Sequence, residues 1–212
     1  DKRANLFTEI SGGTSTQLLQ RDIKQAIDDP KVDSILLDID SPGRAVDGTK
    51  ELADFIVASR GQKPIIAFAN GLMASAAYWI GSAADRVMAN DTAIVGSIGV
   101  ALTHYDRSEQ DAKLGVKRTM IYAGKYKWIA SDEKPLSEEG QEYLQGIVDE
   151  YYSIFVKAVA DNRGADVEQV LEQMADGREF IGKQALKAGL VDDIAHFETA
   201  LAMTREKGRF MN

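Results

Sequence analysis

Two short apolar segments, each followed by a turn, constrain the fold of this chain more than any other feature. Residues 34–40 and 64–69 are rich in isoleucine, leucine and other apolar residues, a composition typical of strands buried on both faces. Between them, residues 45–59 carry apolar residues at helical spacing. Strand–helix–strand segments with short links form right-handed βαβ units. We therefore predict an α/β fold with a largely parallel sheet.

Further elements follow from the same patterns. A capping-box pattern at 14–17 predicts a first helix that ends at Asp29-Pro30. Residues 73–84 are small and apolar on all sides and predict a buried helix. The remaining predictions are strands at 86–89 and 93–95 and helices at 137–162, from 166 and at 183–188. We expect a single domain over 1–212, with an α/β core in 1–130 and a mainly helical part in 131–212.

Composition excludes several classes of function. The chain has no cysteine, which excludes thiol nucleophiles, disulfides and thiolate metal sites. Its net charge of −8 argues against a nucleic-acid partner. We predict no metal and no cofactor. No apolar run approaches the roughly 18–20 residues of a membrane span, so we expect a cytoplasmic protein. Because the chain begins at Asp1, a removed leader or anchor stays open, and membrane association is expected only through such a segment.

The strongest candidate for chemistry is a serine near a predicted strand end. Parallel sheets bind ligands at the carboxyl ends of their strands, where the turns at 40–43 and 70–79 lie. Ser75 occupies the step from the second turn into a helix, which exposes Oγ and places the Ala76 amide beside it. This is the logic of a nucleophile elbow without the G-x-S-x-G spacing. The alternative is a small packed serine among alanines.

A serine nucleophile needs a base, and the chain offers few. The two histidines, His104 and His196, have no obvious partner, and structural roles are favoured for both. A lysine base must be neutral, which requires its ordinary pKa of about 10.4 to fall by about three units. Lys127 lies between aromatic residues, with Lys125 nearby as a like charge. The alternative is a solvated surface lysine.

Several segments, in this order, resemble peptidase family S49, which contains signal peptide peptidase A and the capsid-maturation proteases of tailed phages. The resemblance covers nearly the whole chain. The segments that carry it are DIDSPG at 38–43, NGLMASAAYW at 70–79, AAD at 83–85, VGSIGV at 95–100, YAGKYK at 122–127, GREFIG at 177–182 and ALKAGLVD at 185–192.

The resemblance implies a ClpP/crotonase-like fold and a serine endopeptidase with a Ser–Lys dyad. The family pattern assigns the nucleophile to Ser75 and the general base to Lys127, 52 residues further on. The oxyanion hole would be formed by the backbone amides of Ala76 and of Gly43 or Arg44. The resemblance also implies protein or peptide substrates, either phage capsid and scaffold proteins or residual signal peptides. It implies a homo-oligomer whose dyad is completed between subunits.

The chain departs from the family pattern at two places. Arg44 stands where the family usually has a second glycine, and it would cost about 1 kcal/mol if the position required positive φ. Ala76 and Ala77 replace a glycine pair, which favours the phage branch. Residues 96–99 either line the substrate groove next to the nucleophile or form a structural turn. The turn is favoured, so Ser97 is left outside the catalytic set. Two alternatives remain: a catalytically degenerate oligomeric assembly module of the same fold, and a crotonase-like acyl-CoA enzyme.

Overall fold

The computed structural model describes residues 14–205 and divides into two compact units. The first unit comprises the described residues up to Gly99 together with those from Ile154 onward. The second unit is Val100–Ser153.

The helices and strands alternate through the first hundred residues, as a βαβ architecture requires. In chain order they are α1 (Thr16–Asp28), β1 (Ile35–Ser41), α2 (Thr49–Ser59), β2 (Ile65–Ala74), α3 (Ala76–Ser82), β3 (Arg86–Ala89), β4 (Ile94–Gly96), α4 (Ser108–Lys113), α5 (Glu138–Arg163), α6 (Val167–Gln173), β5 (Glu179–Ile181), α7 (Lys183–Lys187), β6 (Asp193–Ile194) and α8 (Phe197–Arg205).

A mostly parallel sheet organises the first unit around the long strand β2. Strand β1 pairs with β2 in parallel, from Ile35 opposite Ile65 onward. The first half of β2 also pairs with β3 and its second half with β4, both in parallel. Strand β6 extends the sheet beside β3, and β5 is antiparallel to β4. The predicted α/β class with a largely parallel sheet is confirmed.

Both faces of this sheet are covered, which explains the apolar character of its central strands. Ile66 and Phe68 pack with Met88 and Ala200, with Phe197 of α8 against them. The neighbouring residues of β2 project to the opposite face because side chains alternate along a strand. The largest fully buried side chains of the first unit are Leu52, Ile56, Ile65, Ile66, Phe68, Met73, Tyr78, Trp79, Met88, Ile98, Phe155 and Met174.

Most predicted elements are confirmed, and two predicted helices are wrong at their starts. The helix predicted over 73–84 begins only at Ala76, because β2 continues through Ala74. Small apolar residues fit a buried strand and a buried helix equally well, so periodicity could not place this boundary. The helix predicted over 45–59 begins at Thr49. The first helix is capped by Ser15, whose Oγ accepts a hydrogen bond from Leu18 N–H at 3.3 Å.

Charged and polar contacts connect several segments of the second unit. Arg118 lies 3.0 Å from Asp111 and 3.2 Å from Asp132, and Arg107 N–H donates to the Asp132 carbonyl at 2.7 Å. His104 Nε2 is 2.9 Å from the Ser131 carbonyl, which agrees with the structural role expected for this histidine.

Within residues 14–205, no helix combines the length and the apolar character that a membrane-spanning segment requires.

Candidate active site

Ser75 lies in the turn between β2 and α3, and its backbone conformation is unusual. Its φ of 51° and ψ of −123° place a non-glycine residue at positive φ. Such a conformation costs about 1–3 kcal/mol and is concentrated at functional sites. Two hydrogen bonds hold it, from Ser75 N–H to the Gly96 carbonyl at 2.8 Å and from Trp79 N–H to the Ser75 carbonyl at 2.9 Å. The Ser75 hydroxyl does not cap α3, so this turn presents it as a nucleophile elbow would.

The sheet register brings the turn after β1 against Ser75. Ser41 pairs with Met73, and two residues further along these parallel strands lie Gly43 and Ser75. Gly43 has a φ of +74°, and a Cβ built on it would lie 2.6 Å from Ala76 N, 2.7 Å from Ala74 O and 3.1 Å from Ser75 Cβ. Glycine is therefore required at position 43, both for its conformation and for this close approach.

Helix α3 is anchored firmly behind the serine. The Trp79 ring stacks on Phe155 with centroids 4.5 Å apart, and the Tyr78 hydroxyl donates to the Leu190 carbonyl at 2.9 Å. Burial raises the pKa of Tyr78 well above its ordinary value, so the phenol stays a neutral donor. At the other end of α3, the Arg60 guanidinium donates to the Ala83 carbonyl at 2.9 Å. These contacts fix the first turn of α3 relative to the sheet.

The predicted oxyanion donors are the backbone amides of Ala76 and of Gly43 or Arg44. Ala76 is the first residue of α3, so its N–H makes no hydrogen bond within the helix. Gly43 N–H donates to Ser41 Oγ at 3.2 Å, which leaves the Arg44 amide as the better second donor. Among the non-glycine residues of the described chain, only Ser75 and Ser97 have positive φ, so Arg44 does not incur the backbone cost considered from the sequence.

A cleft of about 440 Å³ opens beside this turn within the first unit. Its lining combines apolar side chains with charged ones, and the Arg44 side chain is exposed. The lining residues that matter here are Leu37, Ile39, Ala76, Ala77 and Ile80 as the apolar part and Asp38, Asp40 and Arg44 as the charged part. The apolar part of the lining includes Ala76, the residue that follows Ser75.

Ser97 follows the strand that pairs with the end of β2, next to the turn that carries Ser75. Ala74 pairs with Gly96, so the residue after each of them lies at the same end of its strand. Ser97 has a φ of 54° and its N–H donates to the Arg178 carbonyl at 2.7 Å. A second serine at positive φ beside the first is the signal that identifies it, and this signal exists only in the backbone geometry.

Lys127 belongs to the second unit, in a turn that precedes α5. Its N–H donates to the Gly124 carbonyl at 3.1 Å, and its side chain is exposed. Within residues 14–205, no ion pair involves the Lys127 ammonium group. Its side chain is therefore left without a salt bridge in the described structure.

Lys125, two residues earlier, is in a different situation. Its Nζ lies 2.5 Å from Glu139 Oε1 and 3.3 Å from the Tyr126 hydroxyl. The hydrogen bond with Glu139, and next that with Tyr126, raise the pKa of Lys125 above its ordinary value. A raised pKa keeps the amine protonated, which makes Lys125 the poorer candidate for a general base.

Comparison with known proteins identifies the family. The profile of peptidase family S49 matches residues 58–209. A relative from Methanocaldococcus jannaschii is 39% identical over 186 residues, covering 87% of this chain and 59% of the relative. It is named as a protease, although its activity is not established. Capsid assembly protease C of Escherichia phage lambda is 34% identical over 204 residues, covering 96% of this chain and 46% of the relative. The chain belongs to peptidase family S49.

Relatives with other names match over similar lengths of this chain. Protease 4 of Salmonella typhi is 30% identical over 199 residues, covering 93% of this chain and 32% of the relative. The chain thus spans about half the length of the first curated relatives it matches.

Proposed function

We propose that this protein is a serine endopeptidase in which Ser75 is the nucleophile and Lys127 the general base. The observation that carries the proposal is the strained turn at Ser75, closed on one side by Gly43 and leading directly into the anchored helix α3. Membership of a peptidase family supports the same conclusion.

The proposed reaction proceeds through an acyl-enzyme. Neutral Lys127 Nζ accepts the proton of Ser75 Oγ while Oγ forms a bond to the carbonyl carbon of the scissile peptide. The tetrahedral intermediate collapses, the C–N bond breaks, and Lys127 returns the proton to the leaving amine. Lys127 then accepts a proton from water as the water oxygen bonds to the ester carbonyl carbon. The bond between that carbon and Ser75 Oγ breaks, Lys127 returns the proton to Oγ, and the acid is released.

The developing oxyanion would be stabilised by backbone amides. We assign this role to Ala76 N–H and to an amide of the turn at Gly43 and Arg44, with Arg44 preferred because Gly43 N–H is already engaged. Donors fixed in this way typically contribute a factor of about 100 to 1,000 in rate. The ordinary backbone at Arg44 weakens the alternative of a degenerate module, since that alternative rested on a damaged turn.

We propose that the working enzyme is a homo-oligomer whose dyad is shared between subunits. The second unit exposes several large apolar side chains, among them Ile121 at 95% and Tyr105 at 68%. Surfaces of this kind mark sites of association. A lysine also needs exclusion of water to act as a neutral base, and the exposed Lys127 side chain would obtain it from a neighbouring copy.

Substrates are proposed to be proteins or peptides with a small or apolar residue before the scissile bond. The apolar part of the cleft at Ala76, Ala77 and Ile80 supports this preference, since a charged side chain against it would lose water without a partner. Arg44 is the exception, because it could pair with an acidic side chain. The phage lambda relative is named as a capsid assembly protease, and an Enterococcus faecium relative is named for signal peptide peptidase activity. Phage capsid or scaffold proteins and residual signal peptides are the corresponding candidate substrates.

The nucleophile is tested with a fluorophosphonate probe followed by peptide mapping. We expect the wild-type protein to carry the label on Ser75, and Ser75→Ala to lose both the label and casein hydrolysis while unfolding at an unchanged temperature. Ser97→Ala is the matched control, because it removes the hydroxyl of the other serine with positive φ. Its Ser75 should still be labelled. Casein hydrolysis within tenfold of wild type in Ser75→Ala would refute the assignment, and turnover of acyl-CoA thioesters would favour the crotonase-like alternative.

The shared dyad is tested by complementation. Inactive Ser75→Ala and inactive Lys127→Ala proteins are dissociated, mixed and reassociated. Sites that draw one residue from each copy should regain part of the activity. Mixed oligomers, verified by mass, that regain none would locate the dyad within one chain.

A further inference from the structure

The turn that carries Lys127 is fastened to the start of α5 by the residues around Lys127. We propose that Glu139 is a positioning residue that, through Lys125 and Tyr126, holds this turn so that the Lys127 amine is presented in one place. This inference rests on the proposed role of Lys127 as the base. We call the set of Lys125, Tyr126, Glu139 and Tyr143 the α5 clamp.

Glu139 is the centre of the α5 clamp because two donors of the turn converge on one of its oxygens. Lys125 Nζ lies 2.5 Å from Glu139 Oε1, and the Tyr126 hydroxyl donates to the same oxygen at 3.2 Å. Lys125 Nζ also donates a hydrogen bond to the Tyr126 hydroxyl at 3.3 Å, so the three side chains are linked pairwise. All three hydrogen bonds involve a charged group, and such bonds are stronger than neutral ones.

Aromatic and backbone packing adds a second fastening at the same place. The Tyr126 ring stacks on Tyr143, one turn further along α5, with centroids 5.2 Å apart and planes inclined by 21°. The turn also approaches the helix backbone at Gly140, where a Cβ would lie 3.2 Å from the Ile129 carbonyl oxygen. Gly140 is the buried residue of this region, so the turn lies directly on the helix.

On the other side of Lys127, Trp128 is held as well. Its indole N–H donates to Glu133 Oε2 at 3.3 Å, and its ring stacks on Tyr122 with centroids 6.2 Å apart. The residues immediately before and after Lys127 are thus both engaged. The Lys127 side chain is exposed and takes no part in these contacts. The clamp therefore fixes the backbone of Lys127 and leaves its amine available.

Such fixation matters for a base on an irregular segment. A misplacement of about 1 Å at a reacting group can cost a factor of about 100 in rate. An unanchored turn would spread the Lys127 amine over many positions, whereas the α5 clamp restricts it. Glu139 also pairs with the competing ammonium of Lys125, so a single unpaired amine remains on this turn.

The test compares Glu139→Ala with Glu138→Ala in the full chain. Both glutamates are exposed in the first turn of α5, so both changes remove the same charge near the same helix end. Tyr126→Phe removes only the hydroxyl and keeps the ring for stacking, and Glu139→Gln keeps an acceptor. Two readouts are measured: hydrogen exchange of peptides covering 122–130, and kcat and KM on an internally quenched peptide with an apolar residue before the scissile bond.

We expect Glu139→Ala to speed exchange at 122–130 by about tenfold, the effect of losing a charge-assisted hydrogen bond. We expect its kcat to fall by about tenfold to hundredfold, with KM within about twofold because Glu139 is proposed to act on the base rather than on substrate binding. Tyr126→Phe and Glu139→Gln should show smaller losses of the same kind, and Glu138→Ala should match wild type.

Two outcomes would overturn the inference. Unchanged exchange in Glu139→Ala would show that the clamp does not hold the turn, and faster exchange with an unchanged kcat would show that holding it does not matter for catalysis. Failure of the proposed function is seen separately, because Lys127→Ala would then remain active, and there would be no base for Glu139 to position.

Discussion

The change Gly43→Ala tests the geometry around Ser75 with the addition of one methyl group. The new Cβ would lie 2.6 Å from Ala76 N and 2.7 Å from Ala74 O, both backbone atoms of the nucleophile turn. Real Cβ atoms do not approach backbone this closely, so either the turn after β1 or the Ser75 turn must move. In either case the Ala76 amide no longer meets the carbonyl of a substrate at its original position.

The expected loss of stability in Gly43→Ala has two parts, and a second glycine of the chain provides a control that separates them. A φ of +74° costs an alanine about 1–2 kcal/mol, and overpacking against fixed atoms adds about 1–3 kcal/mol. Gly61 has a similar φ of +78°, yet a Cβ there would meet nothing within 4 Å. We therefore expect Gly61→Ala to lose only the first part, about 1–2 kcal/mol, and Gly43→Ala to lose about 2–5 kcal/mol.

The assays are urea unfolding for stability and the rate of fluorophosphonate labelling for the site. We expect the labelling rate of Gly43→Ala to fall by about a factor of 100, comparable to the loss of one oxyanion donor, while Gly61→Ala labels like wild type. Gly43→Ala that is no less stable than Gly61→Ala, and that is labelled at the wild-type rate, would refute the close approach of the two turns.

Two further predictions concern charged groups. Lys127→Arg should be inactive on an internally quenched peptide because arginine does not lose its proton. Lys125→Ala should keep activity within about tenfold of wild type, as expected for a lysine that is not the base. The reverse pattern would assign the role of base to Lys125. Burial opposes ionisation of Asp192, but hydrogen bonds from Arg163 and the charge of that residue lower its pKa below the ordinary 3.8. The ionised Asp192 therefore stabilises the folded protein above about pH 3.8, and this stabilisation is lost as the pH falls further. Asp192→Asn should lower the free energy of unfolding by about 2 kcal/mol at pH 7 and by less at pH 3. The control Asp161→Asn, which changes an exposed pair, should alter the free energy of unfolding by less than about 0.5 kcal/mol. Equal effects of Asp192→Asn at both pH values would contradict this prediction.

The sequence predicted strands β1 to β4 because each contains an apolar run, but it did not indicate the short strands β5 and β6. It misplaced the start of α3, since the small residues of 73–84 carry no periodic signal. That boundary decides whether Ser75 lies inside a helix or at its start. Only the backbone geometry shows the positive φ that makes Ser75 a plausible nucleophile.

The two lysines show why side-chain contacts add what sequence spacing cannot. Lys125 and Lys127 lie in the same short segment and have the same ordinary chemistry. The difference arises from Glu139, 14 residues after Lys125, which the start of α5 brings within 2.5 Å of one lysine and not the other. The contact between Lys125 in the turn and Glu139 in α5 forms because the turn packs on the helix at Gly140. The spacing of residues in the sequence does not indicate this packing. The residue that distinguishes the proposed base from its neighbour is thus one that belongs to no recognisable catalytic motif.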